Sequence, residues 1–186
     1  MEKTLTNPLH STATSEWYTP LDLIHRARYT MGHIDLDPAS CTAANELVKA
    51  DNYYTAEING LNQTWYGSVF LNPPGSCDLS VCMNKKKCSC KLPYHFMEKL
   101  LEEYYEGAVD RAIYIGFNLS QLKYLEDLYF DIDDIRVVIP RKRTKYIGNG
   151  NSPTHDGFIM LLSNELTTRT RFDECFSTLG QTWQTV

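Results

Sequence analysis

The sequence predicts an α/β fold with helices packed against a sheet. Apolar runs of strand length recur at Val69-Phe70-Leu71, Arg111-Ala112-Ile113-Tyr114-Ile115, Ile135-Arg136-Val137-Val138-Ile139 and Phe158-Ile159-Met160-Leu161-Leu162. Between them lie segments with helical spacing, Leu21 to Tyr29, Phe96 to Glu106 and Leu119 to Leu128. Alternation of the two periodicities is the signature of a sheet flanked by helices. A chain of 186 residues, 42% hydrophobic and 22% charged, is large enough to bury one core of this kind.

The first helix is expected to begin at Thr19-Pro20, because Thr can cap free amides and Pro fits the first helical position. Leu21, Ile24 and Ala27 then recur at helical spacing, and Gly32 follows the end. Either this N-terminus is an ordinary cap with Trp17 and Tyr18 in the core, or its N–H groups meet a ligand carboxylate. The next segment, His33-Ile34-Asp35-Leu36-Asp37-Pro38-Ala39-Ser40, alternates apolar and acidic residues and breaks at proline. It reads as a strand whose carboxyl end presents Asp35 and Asp37, acceptors for ribose hydroxyls or an ammonium group. Without a Gly-x-Gly turn after it, a dinucleotide fingerprint is absent, and the small residues from Ala39 to Ala44 allow close backbone approach instead. Asn59-Gly60-Leu61 reads as a turn before Trp65.

The most informative stretch is Gly67 to Gly75. Val69-Phe70-Leu71 forms a buried strand that Pro73 and Pro74 stop directly after Asn72. Neither proline carries an N–H and each has its φ fixed, so the carbonyls of Asn72 and Pro73 point in set directions with no local donor to quench them. Either this is a strand-ending turn, or it is a corner built for an exocyclic amine. Such an amine is a poor nucleophile because its lone pair is delocalised into the ring. Two acceptors on its hydrogens, Asn72 Oδ1 and the Pro73 carbonyl, pull it toward a tetrahedral, attacking form.

Cys77, Cys82, Cys88 and Cys90 follow, with Lys85, Lys86 and Lys87 among them. These cysteines are either free thiols in a loop or the ligands of a structural zinc, with His95 able to replace one of them. A second basic run, Arg141, Lys142, Arg143 and Lys145, precedes Tyr146 and a Gly- and Asn-rich loop. Each run is either a solvated loop or a nucleic-acid contact. A net charge of −5 excludes a protein that coats nucleic acid by bulk attraction, but not one with a local basic face. His155, alone near the second loop, is given no proton-transfer role. Residues 1–14 read as a mobile arm and 15–186 as one domain. No apolar run reaches membrane-spanning length and no leader pattern opens the chain, so a cytoplasmic protein is expected.

Glu16-Trp17-Tyr18-Thr19-Pro20, Ile34 to Ser40, Asn59-Gly60-Leu61, Trp65 and Leu71-Asn72-Pro73-Pro74 occur in order at compatible distances. This succession resembles the phage-type DNA adenine-N6 methyltransferases over roughly residues 15–165. The resemblance implies a compact Rossmann-like S-adenosylmethionine-dependent methyltransferase fold, here with a Cys/Lys-rich insertion at 77–91 after the catalytic motif. It implies S-adenosylmethionine as donor and an adenine turned out of DNA as substrate, in the host cell cytoplasm if phage-encoded. It makes Trp17, Tyr18, Thr19 and Pro20 one side of the donor pocket, Asp37-Pro38-Ala39 the other, and Asn72, Pro73 and Pro74 the catalytic motif. Lys85, Lys86, Lys87, Arg141, Arg143 and Tyr146 are the expected DNA contacts. In this broader class an aromatic follows the two prolines and stacks on the base. Here the position is Gly75, and Tyr94, Phe96 and Tyr146 are candidate replacements. The same corner serves cytosine N4 equally well, and the missing aromatic is also what a catalytically inactive DNA- or protein-binding module would show.

Overall fold

The computed structural model describes residues 17–75, 92–123, 135–148 and 156–184. Nine strands, β1 (Trp17–Tyr18), β2 (Leu36–Asp37), β3 (Asn52–Tyr53), β4 (Gly67–Leu71), β5 (Val109–Gly116), β6 (Ile135–Pro140), β7 (Ile147–Gly148), β8 (Phe158–Leu162) and β9 (Gly180–Gln184), are found among them. The helices are α1 (Leu21–Met31), α2 (Thr42–Val48), α3 (Leu92–Tyr105) and α4 (Leu166–Phe176), with a 3-10 turn at Gly60–Asn62. Residues 120–123 are also helical, and the rest of the helix expected to Leu128 lies outside the described residues.

Seven strands form one mixed sheet in the order β3-β2-β4-β5-β8-β6-β9. β3, β2, β4 and β5 are mutually parallel, β8 runs antiparallel to both β5 and β6, and β9 runs antiparallel to β6. β6 therefore points the same way as β5, and five carboxyl ends reach one edge of the sheet.

Side chains alternate across the strands, as a two-residue period requires. Val69, Leu71, Ala112, Tyr114 and Met160 face α3, where Phe96, Met97, Leu100 and Leu101 cover them. Phe70, Ile113, Ile115, Ile159 and Leu161 face α1 and α4 on the other side, against Ile24, Ala27, Phe172 and Phe176. α2 adds Val48 to that second layer. The connection leaving β2 thus crosses one face of the sheet and the connection leaving β4 meets the other. The crevice between the carboxyl ends of β2 and β4 is a topological switch point, where open α/β sheets bind ligands.

The expected strands and the alternating order are present, with local differences. Thr19 does not cap α1: Pro20 itself holds the cap position in an extended conformation, and its carbonyl receives Leu23 N and Ile24 N at 3.0 and 3.2 Å. α3 starts earlier than its apolar spacing suggests, because Pro93 fits a first turn where its missing N–H is not required. The sequence reading also stopped short of α4 and β9, which close the second layer and the far edge of the sheet. Gly32, at φ +77°, ends α1 as expected, its N–H bonded to Arg28 O at 2.7 Å.

Candidate functional site

A cleft of about 1550 Å³ opens over the carboxyl ends of β2, β4 and β5. Its floor is set by residues at strand ends: Asp37 closes β2, Asn72 follows β4, and Phe117 follows β5. Its roof comes from the small antiparallel pair β1–β7, which brings Trp17 and Tyr18 beside Tyr146, with the Trp17 and Tyr146 rings edge to face at 5.9 Å. Burial pushes the Tyr146 hydroxyl up to about 12, so it stays a neutral donor.

Asn72 ties floor to roof. Its Nδ2 donates to the main-chain carbonyl of Trp17 at 3.2 Å. A carbonyl only accepts, so the amide must turn its NH₂ toward Trp17, which leaves Oδ1 as the acceptor at the cleft. Pro73 is buried and Pro74 exposed, and both line the cleft with Asn72 and Gly75.

Asp37 is 3% exposed. Burial raises its carboxyl from 3.8 to about 7, against the smaller opposing effects of the Ser40 hydroxyl and the Ala39 N–H, the latter 3.2 Å from Oδ1. A carboxyl so placed is ready to ionise when a hydrogen-bond donor enters the cleft. The loop carrying it is braced by the 3-10 turn. A Cβ on Gly60 would overlap Pro38 O, so only glycine permits this approach, and Gly60 O in turn accepts from the fully buried Trp65 Nε1 at 2.8 Å. On the same rim the sulfur of Cys41 caps α2, accepting from Ala44 N at 3.4 Å.

A family model described as DNA N-6-adenine-methyltransferase (Dam) matches residues 7–113, more than half of the chain. The chain belongs to the Dam family. No curated protein and no solved structure matches it. Membership supports a DNA methyltransferase, with DNA as substrate. The matched segment carries the roof strand β1, the Asp37-Pro38-Ala39 turn, the Gly60 brace and the Asn72-Pro73-Pro74 corner, and it ends before Phe117 and Tyr146.

Of the residues singled out in the sequence, Trp17, Tyr18, Thr19, Asp37, Pro38, Ala39, Asn72, Pro73, Pro74, Tyr94, Phe96 and Tyr146 all line this one cleft. Pro20 and Asp35 are not brought to it. Asp35 sits at the opposite, amino-terminal edge of the sheet, where its Oδ2 accepts from Ser68 N at 2.7 Å beneath Gly67, whose φ is +64°. Alternation put Asp35 and Asp37 on one face, but two residues along a strand are about 7 Å apart, and β2 ends at Asp37. Asp35, His33 and Asp51 instead form a polar group, His33 Nε2 lying 3.0 Å from Asp35 Oδ1 and 3.1 Å from Asp51 Oδ2.

Two of the candidate stacking rings have other partners. Phe96 is 5% exposed and stacks on Trp65 at 5.9 Å, while Tyr146 packs on Trp17. Arg141, Lys142, Arg143 and Lys145 are exposed between β6 and Tyr146, and Arg143 pairs with Asp156 at 3.1 Å. Cys77, Cys82, Cys88, Cys90, Lys85, Lys86, Lys87, His155 and the arm at 1–14, and with them the expected zinc ligands, lie outside the described residues. Sequence reasoning missed Phe117, Tyr54, Leu92 and Gln121 as lining residues. Phe117 follows a strand as Asn72 does, but no proline after it marks the strand end. Among the described residues no helix is long and apolar enough to cross a membrane.

Proposed function

We propose that this protein transfers a methyl group from S-adenosylmethionine to the N6 amine of adenine in DNA, on a Rossmann-like methyltransferase fold. The observation that carries the reading is the orientation of Asn72. With Nδ2 committed to Trp17 O, Oδ1 is left to accept from an incoming amine, next to a proline carbonyl that has no local donor.

The cleft suits the donor on its β2 side. Asp37 is a buried acceptor whose Oδ1 takes the Ala39 N–H, the wall from Ala39 to Ala44 is built of small residues, and Trp17, Tyr18 and Thr19 complete it. Bound there, S-adenosylmethionine supplies a methyl group activated by its sulfonium. Asp37 would hold a hydroxyl or ammonium of the donor, and the aromatic roof would cover it from water. On the β4 side, Asn72 Oδ1 and the Pro73 carbonyl hold the two hydrogens of the adenine amine. Both are neutral acceptors, so they favour the positive charge that grows on nitrogen during attack without competing for the proton beforehand. Pro74 fixes the corner. The exposed basic residues Arg141 and Lys142 beside the roof contact the phosphates that position the strand.

The test is a transfer assay with labelled S-adenosylmethionine on mixed-sequence DNA, followed by digestion to nucleosides and mass analysis. N6-methyldeoxyadenosine is expected. N4-methyldeoxycytidine would move the substrate to cytosine. Donor binding without transfer to any DNA would favour the second reading, an inactive binding module, for which Gly75 is the supporting feature.

A further inference from the structure

The chain lacks an aromatic at position 75, and the structure supplies one from elsewhere. The three atoms nearest to a Cβ built on Gly75 all belong to the Phe117 ring, Cζ at 3.5 Å and Cε1 and Cε2 at 3.7 and 3.8 Å. The tip of the Phe117 ring therefore stands in van der Waals contact with the point where a side chain at 75 would begin. Both residues line the cleft, and Phe117 is half-buried, so one part of its ring is held while another faces the open space.

The backbone under Phe117 is clamped. Gly116 leaves no room for a Cβ because the Phe158 ring lies directly against it. On the other side Gly157 passes so close that its own Cβ would meet Gly116 O, with Phe117 Cα at 3.5 Å. Gly116 at the end of β5 and Gly157 just before β8 thus press the end of β5 into place, Gly116 standing opposite Phe158 in the β5–β8 register. A ring on such a base is preorganised, and an aromatic platform fixed before binding loses little entropy when a base stacks on it.

We propose that Phe117 is the stacking platform for the target base, delivered from β5 in place of the aromatic absent at Gly75. The assignment rests on the reading of the cleft as a base-methylating site. It accounts for glycine after the two prolines: the Phe117 ring already lies at contact distance from position 75 and gives that part of the cleft its aromatic surface. It also sets Phe117 apart from Phe96, whose ring is stacked on Trp65, and from Tyr146, whose ring meets Trp17 edge to face.

The experiment compares Phe117→Ala, Phe117→Trp, Tyr94→Ala and the double variant Phe117→Ala with Gly75→Phe, each checked for fold and for S-adenosylmethionine affinity by calorimetry. Phe117→Ala is expected to keep donor affinity within about twofold and to lose roughly 5- to 150-fold in kcat/KM on DNA, the range for one lost base stack. Phe117→Trp should stay within a few-fold of the parent, and Gly75→Phe should restore about tenfold to Phe117→Ala. Unchanged kcat/KM in Phe117→Ala overturns the proposal, as does an equal fall in donor affinity without rescue, or a larger loss in Tyr94→Ala. Should the parent protein transfer no methyl group to any DNA, the function reading fails separately. Fluorescence of Phe117→Trp, taken as the difference from the parent because Trp17 lines the same cleft, then decides the platform. Quenching by a single-stranded oligodeoxyadenylate but not by its abasic counterpart supports it, and equal response to both overturns it.

Discussion

The side chain of Asn72 and the backbone of Trp17 are joined by one hydrogen bond, Nδ2 to O at 3.2 Å, across the mouth of the cleft. The bond links the end of β4 to the β1–β7 roof, so the corner that would orient an amine and the wall that would cover the donor are held as one unit. An aspartate at 72 cannot donate to Trp17 O and would face that carbonyl with a negative charge. Asn72→Asp should therefore weaken S-adenosylmethionine binding by about tenfold, the effect of a charge-opposed bond of ~1–2 kcal/mol, measured by calorimetry at pH 8.

Asp37 makes a pH prediction with a definite sign. Its carboxyl is raised to about 7 by burial, so the folded protein holds this proton more tightly than the unfolded chain. The group's stabilising contribution is full below about pH 4 and is lost as pH rises toward 7. Asp37→Asn lacks that loss, so its Tm advantage over the parent should grow between pH 4 and 7 and level off above. Donor affinity should behave oppositely. It rises with pH in the parent as Asp37 ionises, and in Asp37→Asn it is lower and flat.

Gly60 predicts a steric failure. Any Cβ there collides with Pro38 O, and backbone atoms cannot swing aside as a flexible side chain does. Gly60→Ala should lose about 1–3 kcal/mol in urea unfolding, in the range of an overpacked core. It should also weaken donor binding more than a surface variant of equal stability, because the atom displaced belongs to the Asp37-Pro38-Ala39 turn.

Tyr114 anchors the α3 side of the site. Its hydroxyl donates to Pro93 O at 3.2 Å and accepts from Gln121 Nε2 at 2.9 Å, all within the buried layer. Burial drives its pKa far above the ordinary value, so it remains a neutral donor. Tyr114→Phe strands the buried Gln121 Nε2, while Pro93 O keeps its bond within α3, and should destabilise the fold by ~1–3 kcal/mol, read by urea denaturation.

The parts of the site visible in sequence are those where a strand ends in a residue that cannot continue it. Pro38 and Pro73 mark the ends of β2 and β4, and marking the ends marks Asp37 and Asn72 as well. Phe117 carries no such mark. It meets Gly75 only because β4 and β5 lie side by side and parallel, a tertiary fact that spacing does not encode. The roof was legible in its residues and not in its form, since β1 and β7 are two residues long and show no period. α4 left a signal that was passed over, Phe172 and Phe176 one helical turn apart. Asp35 shows the reverse error, in which a correct alternation was extended past the point where the short β2 meets the cleft.

The central claim is that Asn72 Oδ1 steadies the amine while the methyl group arrives. Single-turnover methyl transfer by Asn72→Ala, at saturating S-adenosylmethionine and DNA with donor affinity measured on the same sample, tests it most directly. The account predicts a rate at least ~100-fold below the parent, the scale of losing one preorganised acceptor, with donor affinity reduced by no more than about tenfold. Parent-like transfer by Asn72→Ala would contradict it.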